Sequence, residues 1–466
     1  MAEKKAKRFL VTYKDQDVDL SKASSILGIS KSKCKEGISF METDSVPDKD
    51  DVLHFENIGV SSIELDDEEH SKLVKKESVL AVEEDIEVHV LELTKEVEQT
   101  DLVSNGLGGN VMAKGDSYQD GYDYALMDMF SLILHLGRKG NGHQNGTKAR
   151  SLPIKPVPIR PEPIMPFPPI ISPPIFPRQP IPWNINMVKA PDAWSRGLRG
   201  SGVNVAVLDT GIASHPDLVI SGGASFVQGV TSYDDGHSHG THCAGIVGAR
   251  NNFIGVVGVA PLCRLYAVKV LADSGSGQMS WVIAGLEWCI SQKMNVASLS
   301  LGASVGPRVA YANAIRKCQD HGITVVAATG NSGHTAFPYV GSPANSYQRS
   351  TSKSSPIAVG SINQGGHIAA SSSRGGEHSE WNQVTVVAPG VSIRSTVLNG
   401  EYGFKSGTSM ACPHVAGLAA LIYEKFPGIS PVNVERKITS TASDMGDAGY
   451  NTPFGYGLIN CDLATL

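Results

Sequence analysis

The sequence lacks any long apolar run and any closely spaced pair of cysteines. No stretch of the 466 residues reaches the roughly 18 to 20 apolar residues that a membrane-spanning helix needs, so a membrane protein is disfavoured. The seven cysteines are scattered and odd in number, and without a C-x-x-C pair they disfavour zinc and thioredoxin-like sites. Buried free thiols are expected, with one or two disulfides left open.

The chain also lacks an excess of positive charge. Its formal net charge is -6, and charged residues make up 18% of the chain against 41% hydrophobic residues. This balance is typical of a globular protein and gives no indication of nucleic-acid binding, which needs a basic surface. The apolar run at residues 9–11 is too short for a signal-peptide core. Unconventional export, prior removal of a signal and a cytoplasmic location all remain open.

Composition divides the chain into three zones. Residues 7–92 are charged and mixed, residues 93–178 are polar and then proline-rich, and residues 179–466 are rich in glycine, alanine, serine and valine. Proline at nearly every second or third position of residues 152–182 prevents helix or sheet formation and predicts a semi-rigid linker. The alternative for this stretch is a ligand for an aromatic groove.

The third zone predicts an α/β fold. Residues 203–208, 265–271 and 323–328 are predominantly apolar runs, each with one polar residue, as expected of parallel strands that are buried on both faces. Helical stretches at residues 281–292 and 309–321 lie between them. This alternation predicts a parallel sheet flanked by helices, with the active site beyond the carboxyl ends of the strands.

Four polar residues occur at the positions where such a site would form. Asp209 and Asn331 follow two of the apolar runs, and His239 begins a segment rich in glycine and alanine. Pro413 fits only the first turn of a helix, which predicts that Ser409 lies at a helix N-terminus, where free N–H groups stabilise developing negative charge. Each signal is weak alone, but the four together indicate nucleophilic catalysis.

The order Asp, His, Asn, Ser resembles that of the subtilase family of serine proteases, peptidase family S8. The resemblance covers residues 179–466 and is close at residues 265–271, 275–278, 283–290 and 454–460. It implies a subtilisin-like fold and an endopeptidase acting on proteins or peptides. Ser409 would attack the scissile carbonyl, His239 would take its proton, Asp209 would orient the imidazole, and Asn331 would donate to the oxyanion.

The resemblance also implies the edges of a substrate cleft. An extended peptide would pair with these edges by strand addition, which tolerates many side chains. The pocket for the residue before the cut would be lined by small residues and would prefer a large apolar side chain. The residues implied are Gly275, Ser276, Gly277, Ser300, Leu301, Gly302, Ala328, Thr329 and Gly330.

A structural calcium ion is implied in the same way. Oxygen ligands from side chains and backbone carbonyls suit this hard cation. An ordinary asparagine-rich turn is the alternative at residues 251–252. The implied ligands are the side chains of Gln179, Asp217 and Asn252 and the carbonyls of Arg250, Ile254 and Val256.

Residues 7–92 resemble the inhibitor-I9-type propeptide of subtilases. Residues 8–13 and 78–85 would be strands, and residues 66–76 would form a helix. Residues 88–91 would lie in the cleft as product, and Leu91 suits an apolar pocket, so self-cleavage after Leu91 is expected. The resemblance thus implies a zymogen inhibited by its own propeptide, and favours an extracellular, monomeric enzyme.

Other functions remain to be weighed. Asp209-Thr210-Gly211 also matches the motif of aspartic proteases, with Asp273-Ser274-Gly275 as the second half. That hypothesis leaves Ser409 and His239 unexplained and requires an all-β fold. A non-catalytic binding module and a dedicated processing protease for one peptide are the remaining alternatives.

Overall fold

The computed structural model describes residues 6–15, 17–41, 48, 50–93, 179–346, 356–376 and 383–466. The predicted linker, apart from Leu93, lies outside these residues, and its assignment stays a prediction. All described residues belong to one compact unit. Within this described part, no helix is both long enough and apolar enough to cross a membrane.

Residues 7–93, called here the N-terminal segment, form a five-stranded sheet with short helices. The sheet order is β2-β3-β4-β1-β5, and all pairs except β2–β3 are antiparallel. The sixth strand, β6, does not belong to this N-terminal sheet. The strands are β1 (Lys7–Tyr13), β2 (Cys34–Glu36), β3 (Val52–Phe55), β4 (Val60–Leu65), β5 (Val79–Glu84) and β6 (Glu87–Val90), and the helices are α1 (Leu20–Leu27), α2 (Gly37–Met41) and α3 (Asp67–Leu73).

Residues 179–466 contain a seven-stranded parallel sheet, the main sheet. Its order is β15-β14-β13-β11-β7-β9-β8. Strands β7, β11 and β13 are almost wholly buried, as expected from their predominantly apolar sequences. The strands are β7 (Asn204–Asp209), β8 (Ile220–Ser225), β9 (Arg264–Lys269), β10 (Ser276–Gln278), β11 (Val296–Leu299), β12 (Leu301–Gly302), β13 (Thr324–Ala328), β14 (Ile357–Ile362), β15 (Val386–Pro389), β16 (Ile393–Thr396) and β17 (Tyr402–Lys405).

Helices flank the main sheet, so the predicted α/β architecture is confirmed. The last long helix, α9, packs against β11, β13 and β14 and against helix α6. Short 3-10 turns occur at Lys31–Lys33 and Leu398–Gly400. The α-helices are α4 (Trp183–Met187), α5 (Ala190–Ser195), α6 (His239–Gly248), α7 (Met279–Ser291), α8 (Val309–Asp320), α9 (Thr408–Lys425), α10 (Pro431–Ser440) and α11 (Cys461–Ala464).

The N-terminal sheet packs on helices α7 and α8. Alternation along β1 sends Leu10 into the large core of the molecule and Val11 and Tyr13 into a small core of their own. Polar contacts close the same interface: both carboxylate oxygens of Glu83 accept from the first two N–H groups of α8, and Asp85 accepts from Ser280 N on α7. Carboxylates at helix N-termini are favourable partners, because those N–H groups have no acceptor within the helix.

All seven cysteines lie in described parts of the chain, and none of them forms a disulfide. Six are buried and Cys263 is partly exposed. The expected free thiols are therefore observed, and the open question of one or two disulfides is answered in the negative.

Candidate active site

Asp209 and His239 meet at the carboxyl end of the main sheet. Asp209 is the last residue of β7, His239 is the first residue of α6, and both are fully buried. Asp209 Oδ1 lies 2.7 Å from His239 Nδ1 and also accepts from the backbone N–H of Thr210 at 2.8 Å. Both bonds use the same carboxylate oxygen. This carboxylate can hold the imidazole in one tautomer.

A buried aspartate holds the turn that leads into His239. Asp235 accepts from the backbone N–H groups of His237, Ser238 and Thr241 and from the Thr210 hydroxyl. Ser238, directly before the helix, has a positive φ of 87°, a conformation that a non-glycine residue keeps only when its surroundings enforce it. Asp235 supplies that constraint and so fixes the position of the histidine.

Ser409 is the second residue of α9 and is fully buried. The prediction that Pro413 occupies the first turn is wrong, because Pro413 lies inside α9, as its sixth residue. Proline has no N–H to bond to the carbonyl four residues earlier, which here belongs to Ser409. That carbonyl accepts instead from Ser300 Oγ at 2.9 Å and from Cys243 Sγ at 3.5 Å, so an outside donor compensates for the proline.

The Ser409 hydroxyl donates to the carbonyl of Ser300 at 2.8 Å. His239 Nε2, the ring atom opposite the one that binds Asp209, is buried and has no hydrogen-bond partner among the described residues. Cys243 Sγ contacts both residues, at 3.9 Å from His239 Nδ1 and 3.5 Å from Ser409 O. The structure thus brings all three predicted residues to one site, with the Asp–His bond formed and the serine hydroxyl bonded elsewhere.

The carbonyl of Leu91 lies in this site. Asn331 Nδ2 donates to Leu91 O at 2.7 Å, while Asn331 Oδ1 accepts from Thr408 N and Thr408 Oγ1 at 3.0 and 3.1 Å. The two bonds from Thr408 fix which end of the Asn331 amide faces the carbonyl. A donor oriented in this way can stabilise negative charge that develops on the oxygen.

Residues before Leu91 cross the cleft as a strand between two edges. Strand β6 pairs antiparallel with β10 on one side and with β12 on the other. Val90 N donates to Gly275 O at 2.9 Å, and Leu91 N donates to Ser300 O at 3.4 Å. The predicted cleft residues Gly275, Ser276, Gly277, Ser300, Leu301 and Gly302 therefore all lie along this strand.

The Leu91 side chain lies beside Gly302. A Cβ atom placed on Gly302 would lie 3.4 Å from Leu91 Cδ1 and 2.7 Å from the Ser342 carbonyl, so a larger residue would crowd the pocket. Ala328 ends β13, and Thr329 and Gly330 lead from it directly into Asn331. Residues 328–331 thus lie at the end of β13, beside the site.

Oxygen atoms gather where calcium is implied. The carbonyls of Ile254, Val256 and Arg250 lie 2.5, 2.6 and 3.4 Å from Gln179 Nε2. Asp217 presents Oδ2 to Val256 N at 2.9 Å, whereas its buried Oδ1 has no partner among the described residues.

Burial raises the pKa of Asp217, and a nearby cation would offset that effect. Asn252 lies on the same loop, and its Oδ1 accepts from Ile254 N at 3.3 Å. The free carboxylate oxygen and the carbonyls suit a hard cation. Gln179, however, directs its amide nitrogen toward those carbonyls, and its Oε1 accepts from Asn252 N and Phe253 N, so the amide would have to present its oxygen instead to serve as a ligand.

Several residues that build the site were not predicted from the sequence. Asp235 and Thr408 act through backbone N–H groups, and Cys243 contacts both the histidine and the serine. Aspartate before a histidine-initiated turn, or threonine before a serine, is too common a pattern to be informative. Asp273, required by the aspartic protease alternative, instead pairs with Lys269 at 2.6 Å and is largely exposed.

Comparisons with known proteins agree with this geometry. The model of the subtilase family, Peptidase_S8, matches residues 200–457. M-protease from Shouchella clausii (strain KSM-K16) is 46% identical over 287 residues, which cover 62% of this chain and 70% of that protein. Subtilisin E from Bacillus subtilis (strain 168) is 48% identical over 289 residues, covering 61% and 71% respectively. Subtilisin Savinase from Lederbergia lenta is 46% identical, over 62% of this chain and 99% of its own length.

Proposed function

Since the chain belongs to the subtilase family and is therefore a serine endopeptidase acting on proteins or peptides, we propose that Asp209, His239 and Ser409 are its catalytic triad. The observation that carries the proposal is the position of the Leu91 carbonyl, which accepts from Asn331 at 2.7 Å in the site that holds these three residues. A carbonyl carbon held there is presented for attack.

The chemistry begins with a rotation of the Ser409 side chain, from the Ser300 carbonyl that it now bonds toward His239. The unpartnered Nε2 of His239 then takes the hydroxyl proton as Oγ attacks the carbonyl carbon. Asp209, bonded to the other ring nitrogen, stabilises the imidazolium that forms. The imidazolium returns the proton to the leaving amine, and water hydrolyses the acyl-enzyme.

The tetrahedral intermediate carries its negative charge on the former carbonyl oxygen. Asn331 Nδ2 already donates to that oxygen, and the backbone N–H of Ser409, in the first turn of α9, is proposed as the second donor. A preorganised donor stabilises the transition state more than the ground state, because the oxygen gains charge as the reaction proceeds.

The N-terminal segment is proposed to be an inhibitory propeptide, with residues 7–92 as a domain, 93–178 as a linker and 179–466 as the catalytic domain. Strand β6 fills the cleft, and the Leu91–Glu92 bond passes through the candidate site, which supports self-cleavage after Leu91. The leucine beside Gly302 also supports a preference for large apolar residues before the cut.

Calcium is proposed as a structural ion held by the side chains and carbonyls around Gln179 and Asp217. The ion would supply positive charge to a buried carboxylate and tie the start of the catalytic domain to the loop at residues 250–256. A propeptide together with a calcium site favours an exported enzyme, and we propose that it is extracellular and monomeric.

A fluorophosphonate reagent tests the proposed nucleophile. The self-processed protein should take up one label per chain, mapped to Ser409 by peptide mass spectrometry, and hydrolysis of casein should fall in proportion to labelling. A Ser440→Ala variant, altered at an exposed serine of α10, should be labelled and inactivated equally. Label on another residue, or full activity after complete labelling, would refute the assignment.

A further inference from the structure

The chain beyond Leu91 continues across the site, and its first residue meets a lysine. Leu93 N donates to the carbonyl of Ser406 at 3.0 Å, and a Cβ atom placed on Gly407 would lie 3.5 Å from Glu92 Cα. Between these two contacts, Lys405 Nζ lies 2.9 Å from each carboxylate oxygen of Glu92. The residue after the scissile bond thus has a defined subsite of its own.

Lys405 is well shielded from water for a charged side chain. Its exposed fraction is 12%, and that of Glu92 is 25%. The lysine ends β17, whose pairing with β16 sets Lys405 opposite Ile393. Its charge also adds to the effect of burial in lowering the pKa of His242 to about 3. A lysine in this position loses hydration and gains from a carboxylate beside it.

That carboxylate belongs to the residue that directly follows the proposed cut. Among the described residues, the carboxylate paired with Lys405 is that of Glu92. Cleavage after Leu91 would make Glu92 the N-terminal residue of the retained chain, no longer bonded to the strand that holds it in the cleft. Once Glu92 moves out of the subsite, Lys405 would face it without a carboxylate partner. A substrate with an acidic residue after the cut would restore the pair, whereas one with a lysine would bring two positive charges together.

We propose that Lys405 makes this protease select substrates with glutamate or aspartate immediately after the scissile bond. The inference rests on the proposed function and specifies its substrate class: an apolar residue before the cut and an acidic residue after it. The Leu91–Glu92 junction in the N-terminal segment satisfies both requirements.

The test uses quenched fluorescent peptides of sequence Val-His-Val-Leu-X-Leu, in which X is Glu, Gln or Lys. At low ionic strength the self-processed protein should show the order Glu, Gln, Lys in kcat/KM, with Glu exceeding Lys by roughly ten-fold or more. In 1 M salt, where the screening length is about 3 Å, the Glu to Lys ratio should shrink. Equal kcat/KM for the three peptides in the unaltered protein would overturn the proposal without any variant.

Variants assign the effect to one side chain. Lys405→Met should bring the Glu to Lys ratio close to one, and Lys405→Glu should reverse the order. Lys425→Met, altered at an exposed lysine in the last turn of α9, should keep the original ratio. An unchanged Glu preference in Lys405→Met would overturn the proposal while leaving the proposed function intact, whereas no hydrolysis of any peptide by the unaltered protein would overturn both.

Discussion

The site has no room for a side chain at position 407, which is occupied by glycine. Its φ of 141° lies in a region that side-chain-bearing residues avoid, and a Cβ atom there would lie 2.4 Å from Leu91 O and 2.9 Å from Asn331 Nδ2. Both neighbours form the bond that orients the scissile carbonyl. Glycine is therefore required for the chain to approach the carbonyl, and any larger residue would displace it.

Asn331→Ala tests the oxyanion donor. Removing the amide should lower kcat by roughly 10²–10³ with a smaller change in KM, a magnitude that was established on a subtilisin. The reason is that the Asn331 bond strengthens as the oxygen gains charge. The matched control is Asn433→Ala at an exposed position of α10, which should leave both constants unchanged. A rise in KM with kcat unchanged would mean that Asn331 binds substrate without stabilising the transition state.

The roles of residues can be predicted from the sequence where the neighbouring residues indicate their position in the fold. They cannot be predicted where they depend on partners far away along the chain. Asp209 and Asn331 each follow an apolar strand, so their placement at the sheet edge follows from position alone. Lys405 carries no such signal, because its partner Glu92 lies 313 residues away. The wrong placement of Pro413 has the same origin, since Ser300, which compensates for its missing N–H, comes from another part of the chain.

Strand β6 is the strand of the N-terminal segment that pairs with strands of the catalytic domain. It pairs with β10 and β12, which belong to separate stretches of the catalytic domain, and extends neither of the two large sheets. Its four residues, Glu87–Val90, are too few for a periodic pattern to identify, so the resemblance to propeptides was needed to predict its place in the cleft. The main sheet, by contrast, was predictable because several of its buried strands are predominantly apolar runs.

The stability of the interface between the N-terminal segment and helix α7 should depend on pH, because Glu287 titrates there. Burial raises the pKa of Glu287 from 4.5 to about 7, although Asn57 N and Nδ2 both donate to its Oε1. A carboxyl with a raised pKa holds its proton more tightly in the folded chain. Its contribution to the free energy of unfolding is therefore greatest at low pH and is lost as the pH rises from about 4.5 to about 7.

Denaturant unfolding of a Ser409→Ala chain at pH 5 and pH 8, with and without Glu287→Gln, measures this effect. Between these pH values the chain with Glu287 should lose up to about 3 kcal/mol more than the Glu287→Gln chain, as one pKa unit corresponds to about 1.4 kcal/mol. The glutamine keeps an acceptor for Asn57, so the difference isolates the ionisation. Parallel pH dependences in the two chains would show that Glu287 titrates normally.

At the scale of the whole molecule, the N-terminal segment and the catalytic domain share one apolar core. Leu10, Phe55 and Ile58 belong to the same buried cluster as the strands of the main sheet. Loss of the N-terminal segment would expose this apolar surface on α7 and α8. The proposed calcium site lies entirely within the catalytic domain, so its contribution to stability would persist after processing.

Calcium removal tests the proposed ion at this scale. Calcium at about 100 times its dissociation constant should stabilise the processed protein by about 2.7 kcal/mol, and a chelator should reverse the gain. Asp217→Asn should abolish the calcium dependence of the melting temperature, because the free carboxylate oxygen is lost. Asp192→Asn, at an exposed aspartate of α5, should retain it. If calcium does not change the melting temperature of the unaltered protein, the proposed calcium site is wrong.

The most direct measurement is the intact mass of the full chain and of its Ser409→Ala variant, each refolded from denaturant with no other protease present. The unaltered chain should be cut between Leu91 and Glu92, because the Leu91 carbonyl is the one bonded to Asn331, while the variant should keep its full mass. A Ser409→Ala chain that still loses residues 1–91, or an unaltered chain that refolds and stays uncut at this bond, would contradict this prediction.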